Sequence, residues 1–462
     1  MRTSWPFPLL LLFLILHAPG RAGAHASEQG FVLLLPTGLY TAGGVASVVL
    51  TVLLIALVPP GAARRLFRPG RFAPALPALR WPVAGLAGLA VFGWMLADGL
   101  RGPQDPTRNA MPLMLWSGFW IFVLSAQGLV GDLWRRVNPW VAIWWLAGRR
   151  RGLLRLPARW GGWPATAMLV AVAAFLLADP APAAPDRLAR IAALYWAVHM
   201  GGVLLCGPRW LSRAEPLTVL AGAFARLSPL GRWRGGTGIG LPGWRWIASG
   251  APGTALAVFL VLALGIGTFD GLNETFWWFG VIGMNPLEFT GRSAVVWQNL
   301  SGLAAACVLL VAVFAAMLKA GLILAESNLS TGVAFRALAP SILPIAFGYH
   351  VGHYLPTALV EIQHLALLLD DPFRLGWHLL GLDGYRVTTG FFNTRDTVRV
   401  IWLSQAGAVV LGHMLAVLMA HVRALALFGT HGKAAVSQVP LAIFMVLYTL
   451  FGLWLLASPR GG

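Results

Sequence analysis

The stretch Phe347–His364, FGYHVGHYLPTALVEIQH, sets three histidines and a carboxylate into a run that is otherwise largely apolar. On an α-helix turning ~100° per residue, Ala346, His350, His353, Thr357, Glu361 and His364 fall within an arc of about 80°. An ionisable group at the centre of a membrane helix costs at least ~2.5 kcal/mol unless it faces protein, water or a partner. The polar stripe is therefore expected to point into a helix bundle, and the rest of the chain places that bundle in a membrane.

Of 462 residues, 58% are hydrophobic and only 11% are charged, too few to wrap a soluble globule in polar surface. The expected fold class is all-α, a polytopic membrane helix bundle of about ten transmembrane helices after a cleaved signal peptide. A net charge of +18 would indicate nucleic acid if the arginines formed one patch on a soluble domain. Here they lie in loops between apolar spans, where they set topology and meet anionic lipid, so the expected partner is the lipid bilayer and not nucleic acid. Residues 1–24 read as the signal peptide, with Arg2 at its start, an apolar core from Leu9 to Leu16, and small residues at Ala22 and Ala24. Cleavage after Ala24 leaves His25 as the amino terminus. Cys206 and Cys307 both fall inside expected spans and form neither an external disulfide nor a thiolate metal motif.

Apolar spans are expected near 39–58, 83–100, 111–130, 165–178 and 191–206, giving a first five-helix half over 25–206. A second half over 251–462 carries spans near 254–268, 296–318, 339–369, 400–421 and 441–456, and holds the histidine-rich helices. Between them the basic loop 207–250, rich in glycine and proline, is expected to be cytoplasmic and irregular. The segment 131–160, GDLWRRVNPWVAIWWLAGRRRGLLRLPARW, reads as an interfacial helix. This topology puts 22 of the 34 Lys and Arg residues inside, 10 outside and two in the signal, the bias expected of a bacterial inner-membrane protein with both mature termini periplasmic.

His350 and His353, at i and i+3, share one helix face within reach of a single metal ion. Counted inward at ~1.5 Å per residue, His413 on the next span lies at a compatible depth and is a third candidate ligand. Three imidazoles suit Zn, Cu or Fe better than Mg or Ca. Glu361 and His364 continue the stripe as candidate catalytic proton acceptors, and two histidines simply lining a polar cavity stay an open alternative. His350 and His364 are fourteen residues apart, the spacing of two haem b groups stacked between paired helices, but His413 and His421, only eight apart, do not supply the matching second pair. A single haem involving His199 stays open. His25, Asp270, Glu274, Asp370, Asp371 and His378 are expected outside the membrane, above the stripe, as a possible metal-collecting cluster. Asp132 with Asn138 in GDLWRRVNPW is polar enough to suggest a role, but helix capping and interface anchoring explain it as well. No nucleotide-binding loop, serine-nucleophile elbow or HExxH is present in a convincing context.

The segments HASEQGFVLLLPT, GDLWRRVNPW, TFDGLNET, AFGYHVGHYLP and GHMLAVLMAHVRAL together resemble bacterial integral membrane proteins of the fenitrothion hydrolase type. The resemblance spans most of the chain after the signal and rests on dispersed motifs, including the HxxH turn and the pairs Gly412-His413 and Ala420-His421. It implies hydrolysis of phosphotriester or phosphorothioate esters. A metal-assisted scheme would place an ion on His350, His353 and His413, with Glu361 or His364 taking the proton from water. An apolar small-molecule substrate would reach such a site through the bilayer. The alternatives are a transition-metal transporter, copper-like, in which the ~21 Å stripe is a path, and a structural subunit working with a partner membrane subunit.

Overall fold

The computed structural model describes residues 32, 34–74, 81–148, 152–285 and 291–460. The expected signal peptide, His25 and the arginines at 80 and 149–151 lie outside the described residues. Helices dominate: α1 Thr37–Leu57, α2 Trp81–Arg101, α3 Ala110–Val130, α4 Pro139–Leu146, α5 Trp163–Ala178, α6 Pro185–Cys206, α7 Pro216–Ala225, α8 Thr254–Leu272, α9 Val296–Leu324, α10 Leu343–Asp370, α11 Arg395–Phe428 and α12 Val439–Ala457. Among the described residues nine helices are long and apolar enough to cross a bilayer, which makes the chain an all-α polytopic bundle. The expected span at 165–178 is the helix α5, whose 16 residues rise only ~24 Å against a hydrocarbon core of ~30 Å. Pro164 starts it, and Asp179 ends it by accepting from the Ala181 amide and from Arg187.

Burial separates the lipid-facing helices from the interior. In α1 only Val48 and Ile55 are buried, with Leu50, Leu53, Leu54 and Leu57 turned outward, whereas in α10 thirteen residues are buried, His350 and His353 among them. The part of the stripe that carries His350 and His353 is thus enclosed, whereas Glu361 and His364 are half-buried and Thr357 is exposed. Close approach of α10 to α11 depends on glycine: a Cβ at Gly348 would stand 2.4 Å from the Ala408 carbonyl, and one at Gly412 2.6 Å from that of Pro344. The helices of the two halves intermix, because α3 packs along α10 and Ser117 of α3 donates a 2.6 Å hydrogen bond to Glu361 of α10. The middle of α3, Leu113–Val123, is a π-helix.

The loop expected to be irregular is largely structured. Residues 207–250 contain α7, the strands β2 Leu230–Trp233 and β3 Gly236–Ile239, and a short helix at Trp244–Ala248. β3 also pairs with β1, Gly70–Pro74, so one antiparallel sheet of order β1-β3-β2 ties together the loops after α1 and α7. Arg234 and Gly235, both at positive φ, make the two-residue hairpin turn. Arginines flanking α7 disguise it, and ten residues are too few to span; yet Leu220, Ala221 and Phe224 are buried in the bundle. Glu215 caps it by accepting from the amides of Leu217 and Thr218. The interfacial segment forms Trp134–Val137 and α4; Asn138 caps the latter through the Trp140 amide, and Asp132 accepts from the Arg135 amide.

Candidate functional site

Where α3, α8 and α10 meet, the first two histidines of the stripe enter one small chamber. Its walls include Trp120, Asp270, Tyr349, His350, His353 and Tyr354, and its volume is about 40 Å³, enough for water or an ion. Asp270 Oδ2 lies 3.4 Å from His353 Nε2 and accepts a 2.6 Å hydrogen bond from the Tyr354 hydroxyl. The His353 ring is stacked on Tyr349, with centroids 5.5 Å apart, and Tyr349 itself fits because α8 offers Gly271 beside its hydroxyl. His350 is boxed by Trp120, Phe224 and Tyr354 at ring distances of 6.1, 5.8 and 5.1 Å. His350 Nε2 and His353 Nδ1 are buried and make no hydrogen bond within the protein.

Asp270 corrects the sequence reading, which put it in an external cluster. The helix expected to stop at Thr268 continues to Leu272 and brings this carboxylate, half-buried, into the chamber wall beside His353. The signal was present in GIGTFDG: Gly267 and Gly271 stand four residues apart beside the aspartate, continuing the small face that admits α10. Of the other acids in that expected cluster, Asp370 and Asp371 organise backbone. Asp370 accepts from the Leu380 amide and lies 3.4 Å from His378, while Asp371 accepts from Leu375 and Gly376. Arg374 then clamps the loop after α10 to α2 through both carboxylate oxygens of Asp98, at 2.6 and 2.9 Å.

The remaining candidates disperse. Glu361, two turns above His353, bonds Ser117. His364, half-buried, lies beside Asp105, whose carboxyl is held below its ordinary range by hydrogen bonds from Thr107, with a smaller contribution from His364. His413 donates through Nδ1 to the Val409 carbonyl at 2.9 Å and faces Tyr448, and it does not line the chamber. His421 accepts from Gln438 and lies near His431, and His199 accepts from the Trp210 indole. Among the described residues no three His, Cys, Asp or Glu side chains are grouped as a metal ion would need. His350 and His353, with Asp270, are the pair brought together.

Two other spaces adjoin the chamber. On one side His353 also borders a vestibule of about 130 Å³ lined by Pro356, Thr357, Gln405, Ser458 and Arg460. On the other, Trp120 is shared with a pocket of about 550 Å³ whose walls are almost wholly apolar, among them Met95, Phe119, Trp140, Phe175 and Trp196. That volume lies in the range of small-molecule sites.

Pro356 explains part of this geometry. Proline has no amide hydrogen, so the carbonyl of Gly352, one turn earlier, loses its helical donor. Gln405 of α11 supplies it instead, donating through Nε2 at 2.9 Å. The freed turn sits next to His353 and opens the vestibule.

No known protein family matches the chain, nor does any curated protein or solved structure. Fold and site define it as a multi-pass α-helical membrane protein with a largely enclosed carboxylate–imidazole pair.

Proposed function

We propose that this protein is a membrane-embedded hydrolase of apolar esters, with organophosphorus triesters or phosphorothioates as the substrate class implied by the sequence resemblance. The observation that carries this reading is the Asp270–His353 pair in a water-sized chamber, separated by Trp120 from an apolar pocket large enough for an aryl ester. Asp270 orients His353 through Nε2 and stabilises its protonated form; Nδ1, which has no protein partner, takes the proton from the attacking water. The hydroxyl oxygen bonds to phosphorus, the aryl–oxygen-to-phosphorus bond breaks, and His353 returns its proton to the departing phenolate. His350 Nε2 is placed to donate to the phosphoryl oxygen or sulfur as charge gathers there. His413, turned toward Val409 and Tyr448, takes no part in these steps.

The test is release of nitrophenol from a nitrophenyl dialkyl phosphorothioate by protein purified in nanodiscs. His353→Gln and Asp270→Asn are each expected to lower kcat by ~10²–10⁴, the usual worth of general acid–base catalysis. Undiminished turnover in His353→Gln would overturn the reading.

A second reading is favoured by the vestibule. His353 stands between it and the chamber, so a soft metal cation taken as cargo would pass from one imidazole to the next. Uptake of copper or zinc into proteoliposomes, abolished by His353→Gln while no ester is cleaved, would select it.

A further inference from the structure

A cavity of about 1240 Å³ lies at the opposite end of α8 from Asp270, distinct from both the chamber and the aromatic pocket. Six arginines line it: Arg135, Arg159, Arg209, Arg213, Arg226 and Arg245. Asp132 is the one acidic residue among its lining. Arginines placed only to fix topology would be dispersed in solvent around the loops. These come from five separate segments and converge on one concavity. Two are also seated by specific contacts, Arg226 over the Trp246 ring at 4.7 Å and Arg245 donating to the Ala225 carbonyl at 3.1 Å.

The same concavity receives two helices, α5 and α8, end-on. Gly161, Gly162 and Trp163 at the start of α5 and Gly253, Thr254 and Ala255 at the start of α8 are all part of its wall. Neither start carries a side-chain cap. At the start of α5, Pro164 has no amide hydrogen and the Ala165 amide donates to the Arg213 carbonyl at 3.1 Å, so it is chiefly the first N–H groups of α8, with the positive ends of the two helix dipoles, that add to the guanidinium field. Guanidinium forks, amide hydrogens and a cavity of this size are the chemistry of phosphate recognition.

We infer that this basin binds a phosphate-bearing anion at the arginine-rich face of the membrane. Trp134 belongs both to the basin and to the aromatic pocket, so a head group in the basin would lie directly beside an apolar cavity. A phospholipid head group and a free phosphorylated solute share the recognised group. The inference is independent of the hydrolase reading, since none of its residues lines the chamber.

The experiment uses the full chain in nanodiscs and in detergent. Retained lipid is read by native mass spectrometry with phosphatidylglycerol against phosphatidylcholine, and inorganic pyrophosphate is titrated by calorimetry. The test variant is Arg159→Gln/Arg209→Gln/Arg213→Gln, which leaves the two seated arginines in place. The control, Arg65→Gln/Arg68→Gln, removes exposed charge from the same face outside the basin. At least tenfold weaker binding in the basin variant, with the control within twofold of wild type, is expected. Phosphatidylglycerol retained but pyrophosphate unbound would support the inference and identify a lipid; saturable pyrophosphate binding would support it and identify a solute. Equal loss in both variants, or no anion-dependent binding by wild type, would overturn it.

Discussion

At the scale of single residues, the chamber turns on which nitrogen faces what. Tyr354 spends its hydroxyl on Asp270, so Tyr354→Phe should leave the carboxylate less restrained. A fall in kcat of ~3–10-fold, with KM unchanged, is expected from losing one hydrogen bond of ~1 kcal/mol, measured in the nitrophenol assay. His413 offers the contrasting case. Its Nδ1 is satisfied by its own helix, and its ring sits against Tyr448, so His413→Gln should keep wild-type turnover. A kcat loss as large as that of His353→Gln would instead put His413 back beside the other two imidazoles. Sequence spacing made His350 and His353 legible because i,i+3 fixes a shared face whatever the fold. It left His413 undetermined, since a depth count along α11 says nothing about which way that helix is turned.

At the scale of elements, α10 is held by what proline and glycine omit. Gln405→Leu should strand the Gly352 carbonyl in the interior and cost ~1–3 kcal/mol, read as a lower thermal midpoint. In a Pro356→Ala background the helical amide is restored, and the cost of Gln405→Leu should shrink by more than half. Equal costs in both backgrounds would show that the glutamine does not replace the missing amide. Gly348→Val is the complementary change. Its side chain would meet the Ala408 backbone, and loss of folded protein by size-exclusion chromatography is expected, since the obstacle is backbone. Pro356 was visible in the sequence, but its partner was not, because the donor comes from another helix. The π-helix of α3 and the short helix α7 were equally hidden: one differs from an α-helix only in its hydrogen-bond register, and the other is too short to register as a span.

At the scale of the whole molecule, hydropathy alone was enough for the bundle and nearly all of its spans, because lipid leaves no other way to satisfy the backbone. What it did not show is how the halves mix. The chamber takes Trp120 from the first half and Asp270, His350 and His353 from the second, and α7 from the intervening loop closes it with Phe224. The apolar pocket follows from the same mixing, and it makes a claim about substrate delivery. Ala171→Trp, which fills the pocket without touching the chamber, should raise KM for an apolar aryl ester by ~10-fold or more and leave kcat within twofold. An unchanged KM would mean that substrate reaches the histidines by another route.

The most direct measurement of the central claim is single-turnover hydrolysis of a nitrophenyl phosphorothioate by purified wild-type protein, His353→Gln and Asp270→Asn, each verified as folded by its thermal transition. Phenol release by wild type, reduced ~10²–10⁴-fold in both variants, is the expected result. Folded wild-type protein that releases none, or variants that match it, would contradict the assignment of hydrolysis to this pair.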